Sequence, residues 1–363
     1  MNGGRPMCAT TRREFLLSAA ALTLGPAFAA PPPASRSRFG IAYTSFAIRM
    51  LQGRDVLRAG TAKGLPAEAF VELVHSFGGS GCQMDLSQLD PAQPSELRRV
   101  REALEKRALF LELSVPASSL SDPEAFARAA AVARELGTTR LRVALLSGRR
   151  YESFPRMEDW RVFENRWRGA LPKAAAWLEK EGLQAGVENH KDFGAAELAE
   201  ILRGIGSPHL GACVDFGNNL SFLEEPMATV EALAPYAVTT HLKDMAVRTD
   251  ERGFQLSEVP LGTGLLPLAR MVEVLKKARP EVSFCLEMIT RDPLEVPYLE
   301  DGYWVTYGRR DPARVEAFKS AVLARASTAP LPRITGLTPE QMLAAEDANV
   351  RASVAYARGA LGL

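Results

Sequence analysis

An excess of basic charge is what this chain lacks first: Lys and Arg number 44 against 43 Asp and Glu, a formal net charge of +1 over 363 residues. A protein that grips phosphate backbones needs a positive surplus, so nucleic acid is not an expected partner. Long apolar runs are missing too. None reaches the roughly 18 to 20 residues that span a bilayer, the longest candidate being residues 15–30, so no membrane span is expected. Cysteine is scarce, and Cys82, Cys213 and Cys285 stand far apart without CxxC spacing, which argues against a disulfide framework or a cysteine zinc site. They read as small buried hydrophobes. Histidine is as rare, with only His75, His190, His209 and His241. No GxGxxG follows the first strand-like run, which disfavours an open dinucleotide-binding sheet.

The N-terminus has a pattern of its own. Thr11-Arg12-Arg13-Glu14-Phe15-Leu16-Leu17 leads into a small apolar stretch and then Ala27-Phe28-Ala29, a small-x-small cleavage form. Pro26 and the Pro31-Pro32-Pro33 run would break a retained helix. The segment resembles a twin-arginine export signal, so residues 1–30 are expected to be a signal peptide, 31–37 a linker, and the mature protein periplasmic. Arg5, Arg12, Arg13 and Glu14 leave with it, a net loss of two positive charges that takes +1 to −1. The resemblance implies export of an already folded protein, often one holding a cofactor.

From Arg38 onward, short apolar β-type runs alternate with amphipathic helical stretches, the pattern of βα units. Strands are expected near Phe39–Ser45, Gly81–Leu86, Leu109–Val115, Arg140–Leu146, Leu183–Asn189, Leu210–Asp215, Ala237–Leu242 and Val282–Met288. Helices are expected at Pro94–Lys106, Asp122–Leu136, Trp160–Glu181, Ala195–Gly204 and Leu265–Ala278. Eight such units predict an α/β fold, a (β/α)8 TIM barrel over 38–328. A helix near Ala313–Ala326 follows. Thr338-Pro339-Glu340-Gln341 reads as a capping box opening a C-terminal helical extension over 329–363, packed on the barrel exterior.

The last four strands end in ionisable residues: Val187-Glu188-Asn189-His190, Val214-Asp215-Phe216-Gly217-Asn218, Thr240-His241-Leu242-Lys243-Asp244 and Leu286-Glu287-Met288. In a barrel these ends meet at one mouth, so Glu188, Asp215, His241 and Glu287 are expected to share a space. Three carboxylates together repel, and each is costly to bury without a cation. A divalent metal removes that cost. Oxygen-rich ligation with one imidazole suits Mn²⁺ first, then Mg²⁺, Co²⁺ or Zn²⁺.

The series VENH, CVDFGNN, THLKD and CLEM resembles the xylose isomerase-like barrel superfamily, in particular the sugar phosphate isomerase/epimerase group with its ketose 3-epimerases and inosose dehydratases. The resemblance covers about Arg38 to Ala326. It implies that Glu188, Asp215, His241 and Glu287 hold one divalent metal and that Glu188 and Glu287 also act as acid and base. The superfamily's apurinic-site endonuclease carries extra histidines on a zinc cluster. Here Asn218 stands three residues after Asp215 where a histidine would serve a second metal, and His75 and His209 are expected away from the mouth.

Opposed carboxylates and a metal suit proton abstraction next to a carbonyl through an enediolate, ending in epimerisation, isomerisation or elimination. The expected activity is therefore a sugar isomerase or epimerase acting on a small sugar or keto-sugar, with a dehydratase or lyase, or a non-catalytic sugar-binding barrel, as alternatives. Substrate contacts are expected from His190, Lys191, Asn218, Lys243 and Arg142. For Lys243 the competing partner is Asp244; for Arg142 it is Glu112. Tyr298, Tyr303, Trp304 and Tyr307 in the 291–311 loop would stack on a sugar, or else pack between subunits of a homo-oligomer. Gly262-Thr263-Gly264 is a weak phosphate-loop pattern, and an exported enzyme would rather meet unphosphorylated sugars.

Overall fold

Alternation along each barrel strand sorts its side chains between helices and lumen. Ile41, Leu113, Val143, Val187, Val214 and Leu286 are fully buried on the outer face, where they meet the surrounding helices. Their polar neighbours Glu112, Ser114, Arg142 and Glu188 turn inward and are buried as well. The core is thus a shell between sheet and helices, around a lumen that is largely polar.

Apart from the first residue, the computed structural model describes residues 38–51 and 65–363. The expected signal peptide at 1–30 and linker at 31–37 lie outside the described residues. Among the described residues there are eleven strands: β1 Arg38–Ala42, β2 Gly81–Asp85, β3 Phe110–Ser114, β4 Arg140–Val143, β5 Gln184–Glu188, β6 Leu210–Asp215, β7 Ala237–Leu242, β8 Asp244–Thr249, β9 Phe254–Val259, β10 Ser283–Leu286 and β11 Leu294–Val296. Eight close into a parallel barrel in the order β1-β10-β7-β6-β5-β4-β3-β2. Each coincides with an expected strand: β6 and β7 match it to the residue, and the other six are trimmed at the mouth. The expected run to Ser45 stops at Ala42, because Tyr43–Phe46 coils into a 3₁₀ turn and the Ser45 hydroxyl takes over the ladder's role, donating to Leu286 O (2.8 Å) and accepting from Met288 N (3.0 Å).

The helices follow local signals. In Pro123–Leu136, Asp122 Oδ1 accepts from Glu124 N and Ala125 N (2.8 and 3.0 Å), proline opens the first turn, and Gly137 closes the last at φ 71°. Ala129, Ala133 and Leu136 lie on its buried face.

A second sheet was not expected. β8 and β9 form an antiparallel hairpin to which β11 adds, in the order β11-β9-β8. Asp250 Oδ1 closes the hairpin turn by accepting from Arg252 N and Gly253 N (3.0 and 2.8 Å). Phe254 and Leu256 alternate onto the buried face, Phe254 against Tyr298 and Phe318. This hairpin brings Glu258 back toward the mouth.

The C-terminal helix Pro339–Ala360 starts with the expected capping box: Gln341 N donates to Thr338 Oγ1 (3.3 Å) and Thr338 N to Gln341 Oε1 (2.8 Å). It packs on the segment that follows β1. Its fully buried Glu346 accepts from Ile48 N and Arg49 Nη1, both at 2.7 Å, and so pins the turn that carries Thr44. The helix expected near 313–326 runs from Pro312 to Ala321 and ends in a 3₁₀ turn.

Candidate metal centre

Register decides what each strand end offers. Asp215 on β6 pairs with His241 on β7, and Cys285 on β10 pairs with the same histidine, so Glu287 lies one step higher beside it. Glu188 pairs with Cys213, two residues below Asp215. The four expected ligands therefore converge, each offering an atom within 4.8 Å of the others. All four are at most 2% exposed.

One oxygen of each carboxylate is held by the protein and the other is aimed at a common point. Asn218 Nδ2 donates to Glu188 Oε1 (2.9 Å), Gly217 N and Asn218 N donate to Asp215 Oδ1 (2.9 and 2.7 Å), and Thr44 Oγ1 donates to Glu287 Oε1 (2.9 Å). The second oxygens, Glu188 Oε2, Asp215 Oδ2 and Glu287 Oε2, stand 3.3, 3.7 and 3.3 Å from His241 Nδ1. His241 Nδ1 and Asp215 Oδ2 are buried with no hydrogen bond. Asp215 Oδ2 has Lys243 Nζ at 2.9 Å, an ion-pair distance without hydrogen-bond geometry. Two unsatisfied buried atoms, Asp215 Oδ2 and His241 Nδ1, facing two further carboxylate oxygens are what a cation would relieve, so this donor set fits a metal.

Cations brace the carboxylates. Arg142 binds Glu188 Oε2 and also donates to Ser114 Oγ (3.0 Å); Lys243 bridges Asp215 and Glu287. Burial alone would raise the Glu188 and Glu287 pKa values. Arg142 and His241 at the first, and His241 and Lys243 at the second, hold them well below the ordinary carboxylate range. His241 is pushed the other way: burial disfavours its imidazolium, but Glu287, Glu188 and Asp215 raise its pKa well above the usual value.

Behind the imidazole lies a group the sequence reading missed. His241 Nε2 is 2.6 Å from Gln83 Oε1, and Gln83 Nε2 donates to Glu112 Oε2 (3.2 Å). Glu112 also accepts from the Thr239 hydroxyl at 2.7 Å and from Ser283. Gln83 sits on β2 between Gly81 and Asp85, so its lumenal position was available from alternation; its partner across the barrel was not.

Three expectations are corrected. Arg142 does not pair with Glu112, because the register Ser114↔Arg142 sets Glu112 two residues deeper; Arg140 is the nearer arginine, at 3.9 Å. Lys243 does not pair with Asp244, since neighbours on an extended chain point to opposite sides. Asp244 instead accepts from the amides of Met245, Gly262, Gly264 and Leu266 (2.9 to 3.1 Å), so its carboxylate fills the cradle that the Gly262–Gly264 pattern offered to phosphate. The loop aromatics neither face the mouth as a stacking platform nor wait for a partner subunit. Tyr303, Trp304 and Tyr307 pack on one another, Tyr303 O–H donates to Ser221 O (2.8 Å), and Trp304 Nε1 donates to Tyr298 O (2.7 Å).

Of the expected substrate contacts, Asn218, Lys243 and Arg142 touch the ligand carboxylates as described. His190 is half-buried, with Nδ1 2.7 Å from Leu146 O, and burial lowers its pKa to about 4. Lys191 lies buried beside it. His75 is exposed on the helix Ala67–Ser76, and His209 precedes β6 with Nδ1 2.7 Å from Leu183 O, both away from the centre as expected.

A protein-family model described as a xylose isomerase-like TIM barrel matches residues 71–306. Among curated proteins, the 3-oxo-isoapionate decarboxylase of Pectobacterium atrosepticum is 29% identical over 196 residues, a match taking in 50% of this chain and 62% of that protein's length. Among solved structures, D-psicose 3-epimerase with D-tagatose from Clostridium cellulolyticum H10 has a TM-score of 0.56 at 15% identity, covering 89% of this chain and 99% of the other. A xylose isomerase-like TIM barrel protein from Mycobacterium smegmatis in complex with magnesium has a TM-score of 0.52 at 16% identity, covering 80% and 100%. At these identities the structural likeness is one of fold.

Proposed function

Because the chain belongs to the xylose isomerase-like TIM barrel family, we propose that it is a divalent-metal-dependent isomerase or epimerase of keto-sugars, removing a proton next to a carbonyl by way of an enediolate. The observation that carries the reading is the aim of Glu188 Oε2, Asp215 Oδ2, Glu287 Oε2 and His241 Nδ1 at one buried point. Those four residues would hold the ion, with Mn²⁺ the favoured metal for three carboxylates and one imidazole. When bound, the ion supplies Lewis-acid polarisation of a carbonyl.

The chain's own residues do the rest. β5 and β10 are three places apart in a ring of eight, so Glu188 and Glu287 face each other across the mouth. One would take a proton from a carbon between them and the other return it from the opposite side. Arg142 and Lys243 would hold both ionised and fixed in direction. Replacing Glu188 or Glu287 by Gln should stop exchange of a substrate C–H with solvent deuterium in protein that still folds. Exchange surviving in both variants would remove these roles.

A second reading is a lyase of the same site. The decarboxylase relative favours it: a carboxylate β to a carbonyl would leave as CO₂, its bonding electrons passing into the carbonyl to give an enolate that a neighbouring acid protonates. Released CO₂ without C–H exchange in the starting sugar would select this reading. Export to the periplasm through residues 1–30 is part of the proposal, tested by fractionating cells that carry Arg12→Lys with Arg13→Lys.

A further inference from the structure

Every cation named at the barrel mouth has an anionic partner in contact, except one. Arg142 lies on Glu188, Lys243 between Asp215 and Glu287, and Arg291 on Glu258 through Nε (3.1 Å) and Nη2 (2.5 Å). Lys191 is 6% exposed and makes no ion pair or side-chain hydrogen bond among the described residues. An ammonium largely withdrawn from water without a counter-ion is costly, and such a group is retained where something supplies the missing charge.

Its backbone is held, not loose. Lys191 has φ 65°, a left-handed conformation that lysine adopts only under constraint. Asn189 exchanges hydrogen bonds with the Asp215 backbone (2.9 and 2.8 Å), His190 Nδ1 meets Leu146 O, Arg150 N donates to Lys191 O (2.9 Å), and Phe193 N donates to Asp192 Oδ1 (2.7 Å). The charges that act most strongly on the Lys191 ammonium are Lys243, Arg291, Asp215 and Glu188, all of them mouth groups. Burial and its cationic neighbours lower its pKa to about 8, which leaves it mostly charged at neutrality.

Charge counting sharpens this. With His241 neutral, as a metal ligand must be, Glu188, Asp215, Glu287 and Glu258 balance Arg142, Lys243, Arg291 and Lys191. Asp192, the next residue in the chain, is buried and its pKa is pushed up to about 7, so it carries at most part of a negative charge at neutrality. Loading a divalent ion therefore leaves the mouth with a positive excess. A neutral sugar would leave Lys191 without a partner. A single ammonium matches a carboxylate better than a phosphate dianion, which wants several donors, and the Gly262 and Gly264 amides of the glycine pattern are already taken by Asp244.

We propose that Lys191 anchors a carboxylate of the substrate, so that this enzyme acts on a keto-sugar acid and not on a neutral or phosphorylated keto-sugar. The proposal rests on the metal-dependent keto-sugar reading and names its substrate class.

The test uses the full chain loaded with Mn²⁺, with binding followed by calorimetry. The probes share a skeleton and differ at one carbon: D-fructose, D-fructuronate and D-fructose 6-phosphate, then D-tagatose, D-tagaturonate and D-tagatose 6-phosphate. In at least one series the acid should bind most tightly, and Lys191→Met should weaken it by about 10- to 100-fold, as expected for a hydrogen bond between charged groups, while leaving the neutral ketose within about twofold. Lys191→Arg should restore part of the loss. The inference is overturned if neither acid is preferred, if the 6-phosphate binds best, or if Lys191→Met weakens acid and neutral sugar alike. Titrating Mn²⁺ into the same samples separates the two failures: no metal binding defeats the underlying reading, whereas metal binding without preference for the acid defeats only this inference.

Discussion

Gln83 Oε1 accepts from the His241 Nε2–H at 2.6 Å, and this contact decides which imidazole nitrogen faces the three carboxylates. Gln83 is itself fixed, because its amide nitrogen donates to Glu112. With Nε2 keeping its proton on Gln83, Nδ1 is the nitrogen that faces Glu188, Asp215 and Glu287, and a metal displacing the Nδ1 proton would take up its lone pair there.

Gln83→Leu should therefore weaken Mn²⁺ binding by about 10- to 100-fold, the range for loss of a group that orients a ligand, while the far-ultraviolet spectrum stays unchanged. Calorimetric titration of the ion checks it. Affinity equal to that of the parent protein would mean that packing alone orients His241.

Metal and stability should be linked. A ligand that binds only the folded chain adds about 2.7 kcal/mol at a hundredfold excess over its dissociation constant. The melting temperature should rise in Mn²⁺ relative to chelator, and the rise should vanish in His241→Ala and Asp215→Ala. No shift at saturating Mn²⁺, together with no metal by elemental analysis, would count against the centre.

Arg142→Met strands Glu188 as a buried carboxylate without its guanidinium. Breaking a buried pair in this way costs about 3 to 5 kcal/mol, so the variant should melt well below the parent in chelator. Mn²⁺ should recover much of the difference by replacing the lost positive charge. A loss of equal size with and without metal would show that Arg142 acts through packing.

Glu346 gives a pH signature away from the metal. Burial pushes its pKa up to about 6, against the lowering pull of Arg49 and the Ile48 amide. The folded chain then holds this proton more tightly than the unfolded chain, whose value is 4.5. The stabilising contribution is complete below 4.5 and is lost as pH rises through about 6, a change on the order of 2 kcal/mol. Glu346→Gln should keep its stability relative to the parent at pH 4.5 and gain on it at pH 7. Parallel melting curves for the two proteins across that window would exclude the effect.

Much of this molecule is set by short-range pattern. Short apolar runs alternating with amphipathic helical stretches marked the eight barrel strands, because a strand covered by helices must be apolar on its outer face. Caps such as Asp122 and Thr338 fixed helix starts through hydrogen bonds that span three residues. Ionisable residues closing four successive strands, from Glu188 to Glu287, named the ligand set, since all strand ends of a parallel barrel open on one side. Pairing across the lumen was another matter. Whether Arg142 meets Glu112 or Glu188 depends on strand register and stagger, which closure of the whole barrel imposes. Gln83 and Thr44 reach His241 and Glu287 only because β2 and β1 come round to complete the ring, more than 150 residues away in the chain for the first pair and more than 240 for the second. The choice of Asp215 and Glu287 over Asp244 as partners of Lys243 follows from the same geometry: alternation fixes the side of the sheet on which a side chain lies, and tertiary closure alone fixes what stands opposite it.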